Sequence, residues 1–328
     1  MTESAPRPRN GNGPGFGSSD AYMLGAVVMW GLNYVIIKLA LRTLTPGGFN
    51  GLRLILTSIL FAVLVAVSGE SLRFERGDLA KLAAVGIVGN ALYQIAFIHG
   101  VSLTLASNAS LILSTSPLFV ALLSGVLRIE RVHWAAWLGI LISFAGLYLV
   151  IAGRDGGLDF ASGHFRGDLF IFVGAIFWAS YTVFSKPFLD RMSPLKFSAV
   201  TVWAGALVYV PYAAKDVLAI RWDAFALADG LRILLSALFG FVIGFLIWYN
   251  SVQKVGNSKT AIYNNLTPVF TALFAALLLG ESFRLPQVVG AAIILVGVYL
   301  TRSGYRFFAK GAAPAVAPTA LDDAEPSE

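Results

Sequence analysis

Lys38 lies inside an otherwise apolar run, WGLNYVIIKLALRTLTP at residues 30–46, and Arg53 follows shortly in GLRLIL. A cation in such a setting can hold an anion, brace backbone carbonyls or stretch to interfacial water. Trp30, Tyr34 and Lys38 are spaced i, i+4, i+8, so on a helix they share one face, with Asn33 beside it. That set suits an amphipathic organic anion: rings stack, an amide orients, and the ammonium takes a carboxylate. The stripe fits two uses, this one and plain helix packing with a snorkelling lysine. Arg53 is expected to brace backbone carbonyls or the cavity mouth, with taking the carboxylate in place of Lys38 as the alternative.

A near copy, WASYTVFSKPFLDRMSP, occupies residues 178–194. Trp178, Lys186 and Pro194 each fall 148 residues after Trp30, Lys38 and Pro46. Tyr181 and Ser185 adjoin this second stripe. Lys186 sits near a span end and is expected to be structural. Position 201, the counterpart of Arg53, is Thr201, so the cation is not duplicated.

Further polar groups recur in apolar surroundings. Asn90, Tyr93 and Phe97 fall on one helical face, with Gln94 beside them, and Phe241, Phe245, Trp248 and Tyr249 answer in the second half. Ser107, Ser110 and Ser114 share a face, as do Asn257, Thr260 and Asn264, with Tyr263 adjacent. Pro117 and Pro268 each deny a hydrogen bond to the carbonyl four residues earlier, at Leu113 and Asn264. The candidate substrate-binding set is therefore Trp30, Asn33, Tyr34, Lys38, Asn90, Tyr93, Gln94, Ser110, Ser114, Trp178, Tyr181, Trp248, Tyr263 and Asn264.

Other chemistry is missing. No carboxylate falls mid-span, and the chain has no cysteine, no phosphate-binding loop, no metal-ligand cluster and no Ser/His/Asp set in helical context. Hence no cofactor, metal or catalytic residue is expected, and an integral-membrane enzyme is disfavoured.

These residues must be positioned by membrane helices. The 328-residue chain is 57% hydrophobic and only 13% charged, with mean hydropathy +0.75, too apolar to cover a water-facing surface. Ten stretches reach membrane-crossing length, at about 20–43, 48–68, 79–99, 104–127, 132–152, 168–188, 195–214, 229–251, 258–280 and 285–303. The expected architecture is an all-α integral membrane protein of ten transmembrane helices. Residues 1–19 read as a disordered head, 20–152 as a first five-helix repeat, 153–167 as a periplasmic linker, 168–303 as a second repeat and 304–328 as a tail.

The duplication extends beyond the opening stripe. SPLFVALLSGVLRIERV from Ser116 parallels TPVFTALFAALLLGESF from Thr267, and Glu130, Gly139, Gly146 and Tyr148 reappear as Glu281, Gly290, Gly297 and Tyr299. Five is odd, so the second repeat enters from the opposite side and the repeats are inverted, a construction that supports alternating access. With both termini cytoplasmic, fifteen of the 24 Lys and Arg residues fall inside and seven outside, as the positive-inside rule favours.

The W…N…K stripe, the GLRLIL opening of the second span, and the endings PLFVALLSGVLRIER and PVFTALFAALLLGES resemble the drug/metabolite transporter superfamily, EamA type, over residues 20–303. The resemblance implies a bacterial inner-membrane metabolite exporter with a central cavity lined by the first, third and fourth spans and their counterparts. The combined expectation is a multi-pass secondary transporter in the plasma membrane exporting a small amphipathic metabolite, amino-acid-like and aromatic or hydrophobic. The runner-up is a broad drug or nucleobase exporter. Expected partners are a small-molecule substrate and the lipid bilayer, not nucleic acid; a monomer is expected, with a dimer as the alternative.

Overall fold

The computed structural model describes residues 18–75, 77–127, 134–152, 163–255, 263, 266–282 and 284–308. All regular structure among them is helical. Seven helices are long and apolar enough to cross a membrane, and three shorter apolar helices accompany them, at Trp137–Val150, Thr267–Leu279 and Leu285–Leu300.

The local sequence explains the boundaries. Helix α1 spans Ser18–Ala40 and α2 spans Pro46–Ser68. Thr45 caps α2, its Oγ1 accepting from the Gly48 N–H at 3.1 Å, and Pro46 supplies a preset φ where its missing N–H costs nothing. Gly69 closes α2 with φ +65°, a conformation that favours glycine. The same device returns 148 residues later: Ser193 Oγ accepts from the Lys196 N–H at 3.1 Å and Pro194 opens the helix.

After α3 (Asp78–Ile87) the helix widens into a π turn at Val88–Leu92, with the Tyr93 N–H donating to the Val88 carbonyl, and then continues as α4 (Tyr93–Leu103). Next come α5 (Ala106–Leu113), α6 (Ser116–Val126), α7 (Trp134–Ala152), α8 (Gly163–Leu189), α9 (Pro194–Tyr212) and the short α10 (Ala214–Leu218). Helix α11 (Leu227–Ala237) leads through a second π turn, Leu238–Val242, into α12 (Ile243–Val255). Helices α13 (Thr267–Leu279) and α14 (Leu285–Phe308) complete the set. The span expected at 104–127 is broken between α5 and α6 at Ser114–Thr115, because Pro117 cannot donate to the Leu113 carbonyl. The earlier part of the span expected from 258 lies outside the described residues except for Tyr263, as does most of the 153–167 linker.

Packing respects an exchange of halves. Helix α1 packs on α13 while α8 packs on α5 and α6; α3 packs on α9 while α11 packs on α2; α4 meets α8 while α12 meets α1. The α2–α9 and α7–α14 pairs map onto themselves. Swapping the halves therefore reproduces the arrangement, as a two-fold relation requires.

Small residues set the closest approaches, as they do where lipid removes the hydrophobic drive between helices. A Cβ on Gly146 would lie 2.7 Å from the Gly290 carbonyl oxygen, and one on Gly290 would lie 2.7 Å from that of Gly146. The Ser143 hydroxyl donates to the Ile294 carbonyl across the same α7–α14 seam at 3.2 Å.

The bundle buries polar side chains within its apolar core and exposes large apolar ones. Val63, Val67, Leu141, Leu207 and Leu277 are exposed, whereas Asn50, Arg53, Asn90 and Asn108 are buried. That distribution suits a hydrocarbon solvent, in which polar side chains must find partners inside the protein.

Candidate functional site

A cavity of about 550 Å³, its open side included, lies where the halves meet. Uniform helical periodicity brings Trp30, Asn33 and Tyr34 of α1 to it, and α2 contributes Arg53. Tyr93, Gln94 and Phe97 reach it from α4, and Leu113 from the end of α5. The second half supplies Trp178 from α8, Gly240 and Phe241 from the second π turn, Phe245 from α12 and Thr267 from α13.

The walls are aromatic. Tyr93 contacts Phe97 and Trp178 at centroid separations of 5.4 and 5.3 Å, and Tyr34 meets Phe97 edge-on at 5.4 Å. Trp178 continues to Phe245 at 6.0 Å, and Phe245 to Phe241 at 5.2 Å. Tilted and edge-on pairs at these separations are the favourable arrangements for rings. They make a flat, rigid enclosure for an apolar or aromatic group.

One edge is polar, and Arg53 organises it. The Arg53 side chain is 1% exposed. Its Nη1 donates to Ser236 Oγ at 3.0 Å; its Nη2 donates to Gln94 Oε1 at 2.7 Å and to Asn50 Oδ1. The guanidinium lies over the rings of Phe241 and Phe49, 5.1 and 5.3 Å from their centroids. Insertion scales put an arginine at mid-bilayer at about 2.5–3.5 kcal/mol, and hydrogen bonds to a charged group contribute about 1.5–3 kcal/mol each, so three neutral acceptors and two ring faces suffice to keep it buried. Every hydrogen-bond partner is neutral. Among the described residues no carboxylate pairs with Arg53, and its buried Nε has no partner.

The arginine also orients its neighbours. Because Ser236 Oγ accepts from Arg53, its own proton must go elsewhere, and it goes to Asn33 Oδ1 at 2.6 Å. The Asn33 oxygen is thus committed, and its amino group sits over Gly240, where an added Cβ would lie 3.0 Å from Nδ2. Gln94 likewise commits its oxygen to Arg53, leaving its amino end as a donor.

The remaining expected residues lie elsewhere. Lys38 is half-buried on the stripe of Trp30 and Tyr34 but beyond the cavity, within electrostatic reach of Glu281. Asn90 is fully buried inside the first π turn, against Gly205. The extra residue of that turn changes the helical phase, so Asn90 does not share the cavity face with Tyr93 and Phe97. Ser110 and Ser114 return their protons to their own helix, to the Ser107 and Leu111 carbonyls at 2.8 and 2.6 Å, as serines in apolar helices do. The Tyr181 hydroxyl sits 3.0 Å from Thr201 Oγ1, behind the wall. Trp248 backs Trp30 at 5.4 Å, Tyr263 packs partly buried on the core, and Asn264 lies outside the described residues.

Arg53, Phe97, Leu113, Gly240, Phe241, Phe245 and Thr267 join the lining without having been in the expected set. Arg53, Phe97, Phe241 and Phe245 stand out in the sequence as polar or aromatic positions within apolar spans, and two more carry a signal through proline. Leu113 owns the carbonyl that Pro117 leaves unbonded, and Thr267 directly precedes Pro268.

The model of the EamA-like transporter family matches residues 17–152 and again 165–303. An "Uncharacterized transporter" of Archaeoglobus fulgidus is 26% identical over 274 residues, covering 84% of this chain and 95% of its own. A second one from that organism is 28% identical over 290 residues, covering 87% and 98%. A Salmonella typhimurium protein named "Probable amino-acid metabolite efflux pump" is 25% identical over 295 residues, covering 85% and 93%. A solved crystal structure superposes with a TM-score of 0.65 at 19% identity, over 89% of this chain and 98% of that one, and so shares the fold.

Proposed function

We propose that this chain, which belongs to the EamA-like transporter family, exports a small amphipathic, amino-acid-like metabolite across the bacterial plasma membrane by alternating access. It is a multi-pass membrane protein and a transporter. The finer reading has ten membrane-crossing helices in two inverted five-helix repeats, both termini in the cytoplasm and no catalytic step. Support comes from the exchange symmetry of the packing, and from a cavity whose walls are drawn from both halves. A site shared between two similar halves is what alternating access rocks around.

One observation carries the substrate class: a ring-lined enclosure with a hydrogen-bonding edge built on Arg53. Aromatic walls favour a flat or hydrophobic side chain, and the edge orients a polar head. The name of the Salmonella relative points the same way. The test is transport in proteoliposomes against a panel of amino acids, nucleobases and dyes. Saturable movement of aromatic or hydrophobic amino acids without chemical turnover is expected. Saturable movement of dyes and nucleobases in preference would assign the broad drug or nucleobase reading instead. Turnover of solute would mean an enzyme, and non-saturable flux a channel.

A further inference from the structure

We propose that the polar edge of the cavity is a cradle for a carboxylate, with Arg53 as its charge and the amino groups of Asn33 and Gln94 as its flanking donors. The inference deepens the transport reading and rests on it for the site.

Three observations carry it. First, Arg53 is enclosed with no acidic partner among the described residues, and its Nε is unpartnered. A buried cation held only by neutral groups retains its full charge toward whatever enters the cavity it lines. Second, the hydrogen bonds run outward from the arginine. Guanidinium nitrogens only donate, so Gln94 and Asn50 must turn their oxygens to Arg53, and Ser236 must pass its proton to Asn33 Oδ1. Asn33 and Gln94 each have one oxygen lone pair engaged and both N–H bonds of the amino group left to offer a ligand. An edge rich in donors whose charge is positive favours an acceptor-only anionic group over an ammonium. Third, the aromatic walls from Trp178, Tyr93 and Phe97 adjoin this edge, so the anion comes attached to an apolar or ring-bearing body. Phosphate esters would share the charge, but this ring-lined space suits a flat, singly charged carboxylate.

The experiment compares 3-phenylpropionate with 3-phenylpropanamide, which differ only at the head group. Binding is read by tryptophan fluorescence on the purified full chain in nanodiscs near pH 7.5. The wild type should bind the acid roughly ten- to hundredfold more tightly, what a charge-assisted hydrogen-bonded pair contributes. Arg53→Gln should remove that preference, and Arg53→Lys should keep part of it. Gln94→Glu guards against an unfolded Arg53 variant. It sets a carboxylate against Arg53, fills the cradle from within, and should abolish the preference in a protein that still elutes as a monodisperse species. Equal binding of acid and amide by the wild type overturns the proposal, as does an acid preference that survives both Arg53→Gln and Gln94→Glu, or wild-type binding of neither compound. Because binding is read without transport, a chain that prefers the acid but moves no solute in proteoliposomes would sink the transport reading and leave the cradle standing.

Discussion

Glu281 holds the first turn of the helix that begins beside Ser107: the Ser107 hydroxyl donates to one carboxylate oxygen at 2.6 Å, and the Ala106 backbone N–H donates to the other at 2.8 Å. A carboxylate at a helix start satisfies orphan N–H groups and meets the positive end of the helix dipole. Helix α5 runs only eight residues before it breaks, so its first turn is a large part of it. Glu281→Ala should lower the thermal midpoint of the detergent-solubilised protein by several degrees, corresponding to about 1–2 kcal/mol for a lost cap, and Glu281→Gln by clearly less. Unfolding of Glu281→Ala at the wild-type temperature would show that the cap contributes nothing.

Two glycines should respond oppositely to alanine. At Gly290 an added Cβ meets the Gly146 backbone across the α7–α14 seam, so Gly290→Ala should cost about 1–3 kcal/mol. At Gly25, inside α1, no atom lies within 4 Å of the new methyl, so Gly25→Ala should be neutral or stabilise by up to about 1 kcal/mol. Thermal midpoints that move alike in both variants would contradict the packing described.

Lys38→Met separates the two cations. Lys38 stands outside the cavity lining and Arg53 inside it. The variant should bind 3-phenylpropionate within about twofold of the wild type, far less than the roughly tenfold or greater loss expected at Arg53. A tenfold loss at Lys38 would return the carboxylate to the residue that the sequence pattern favoured.

Orientation can be read by single-cysteine labelling, since the chain has no cysteine of its own. Asp223 and Ser71 are both exposed, on connections that the proposed topology puts on opposite sides. A cysteine at 223 should react with an impermeant maleimide in intact cells, and one at 71 only after permeabilisation. The reverse pattern would invert the topology.

Proton coupling is expected to be absent. The enclosed acids lie at helix ends and are engaged there. Asp168 accepts from Thr104 at 2.6 Å, Asp229 from Thr43 at 2.7 Å and from Arg232 at 2.8 Å, and Glu281 caps α5. None lines the cavity. Substrate should move down its own gradient or by exchange. A fixed proton-to-substrate stoichiometry in proteoliposomes loaded with a pH-sensitive dye would refute this.

Legibility in the sequence followed the regularity of the helices. Trp30, Asn33 and Tyr34 could be placed because α1 keeps one period throughout, and Trp178 followed from the duplication. Asn90 was misplaced by a period that stops holding at Val88, a widening that no residue type announces. The serines at 110 and 114 formed a stripe, but a stripe gives spacing and not the direction of a hydroxyl proton. Arg53 was visible as a buried cation. The groups that hold it were not, because they include Ser236, 183 positions away, and Phe241 from the other half. Depth along a span can be estimated from one segment alone, whereas the groups that face it come from long-range packing.

The π turns at Val88–Leu92 and Leu238–Val242 stand at corresponding places in the two halves. Each adds a residue to its helix, and at about 100° per residue that turns all that follows relative to all that came before. Upstream of the first turn the helix belongs to the seam with α9; downstream, Tyr93, Gln94 and Phe97 belong to the cavity. One continuous helix thereby turns one face to the seam before the bulge and another to the cavity after it, so a single span serves as both frame and wall.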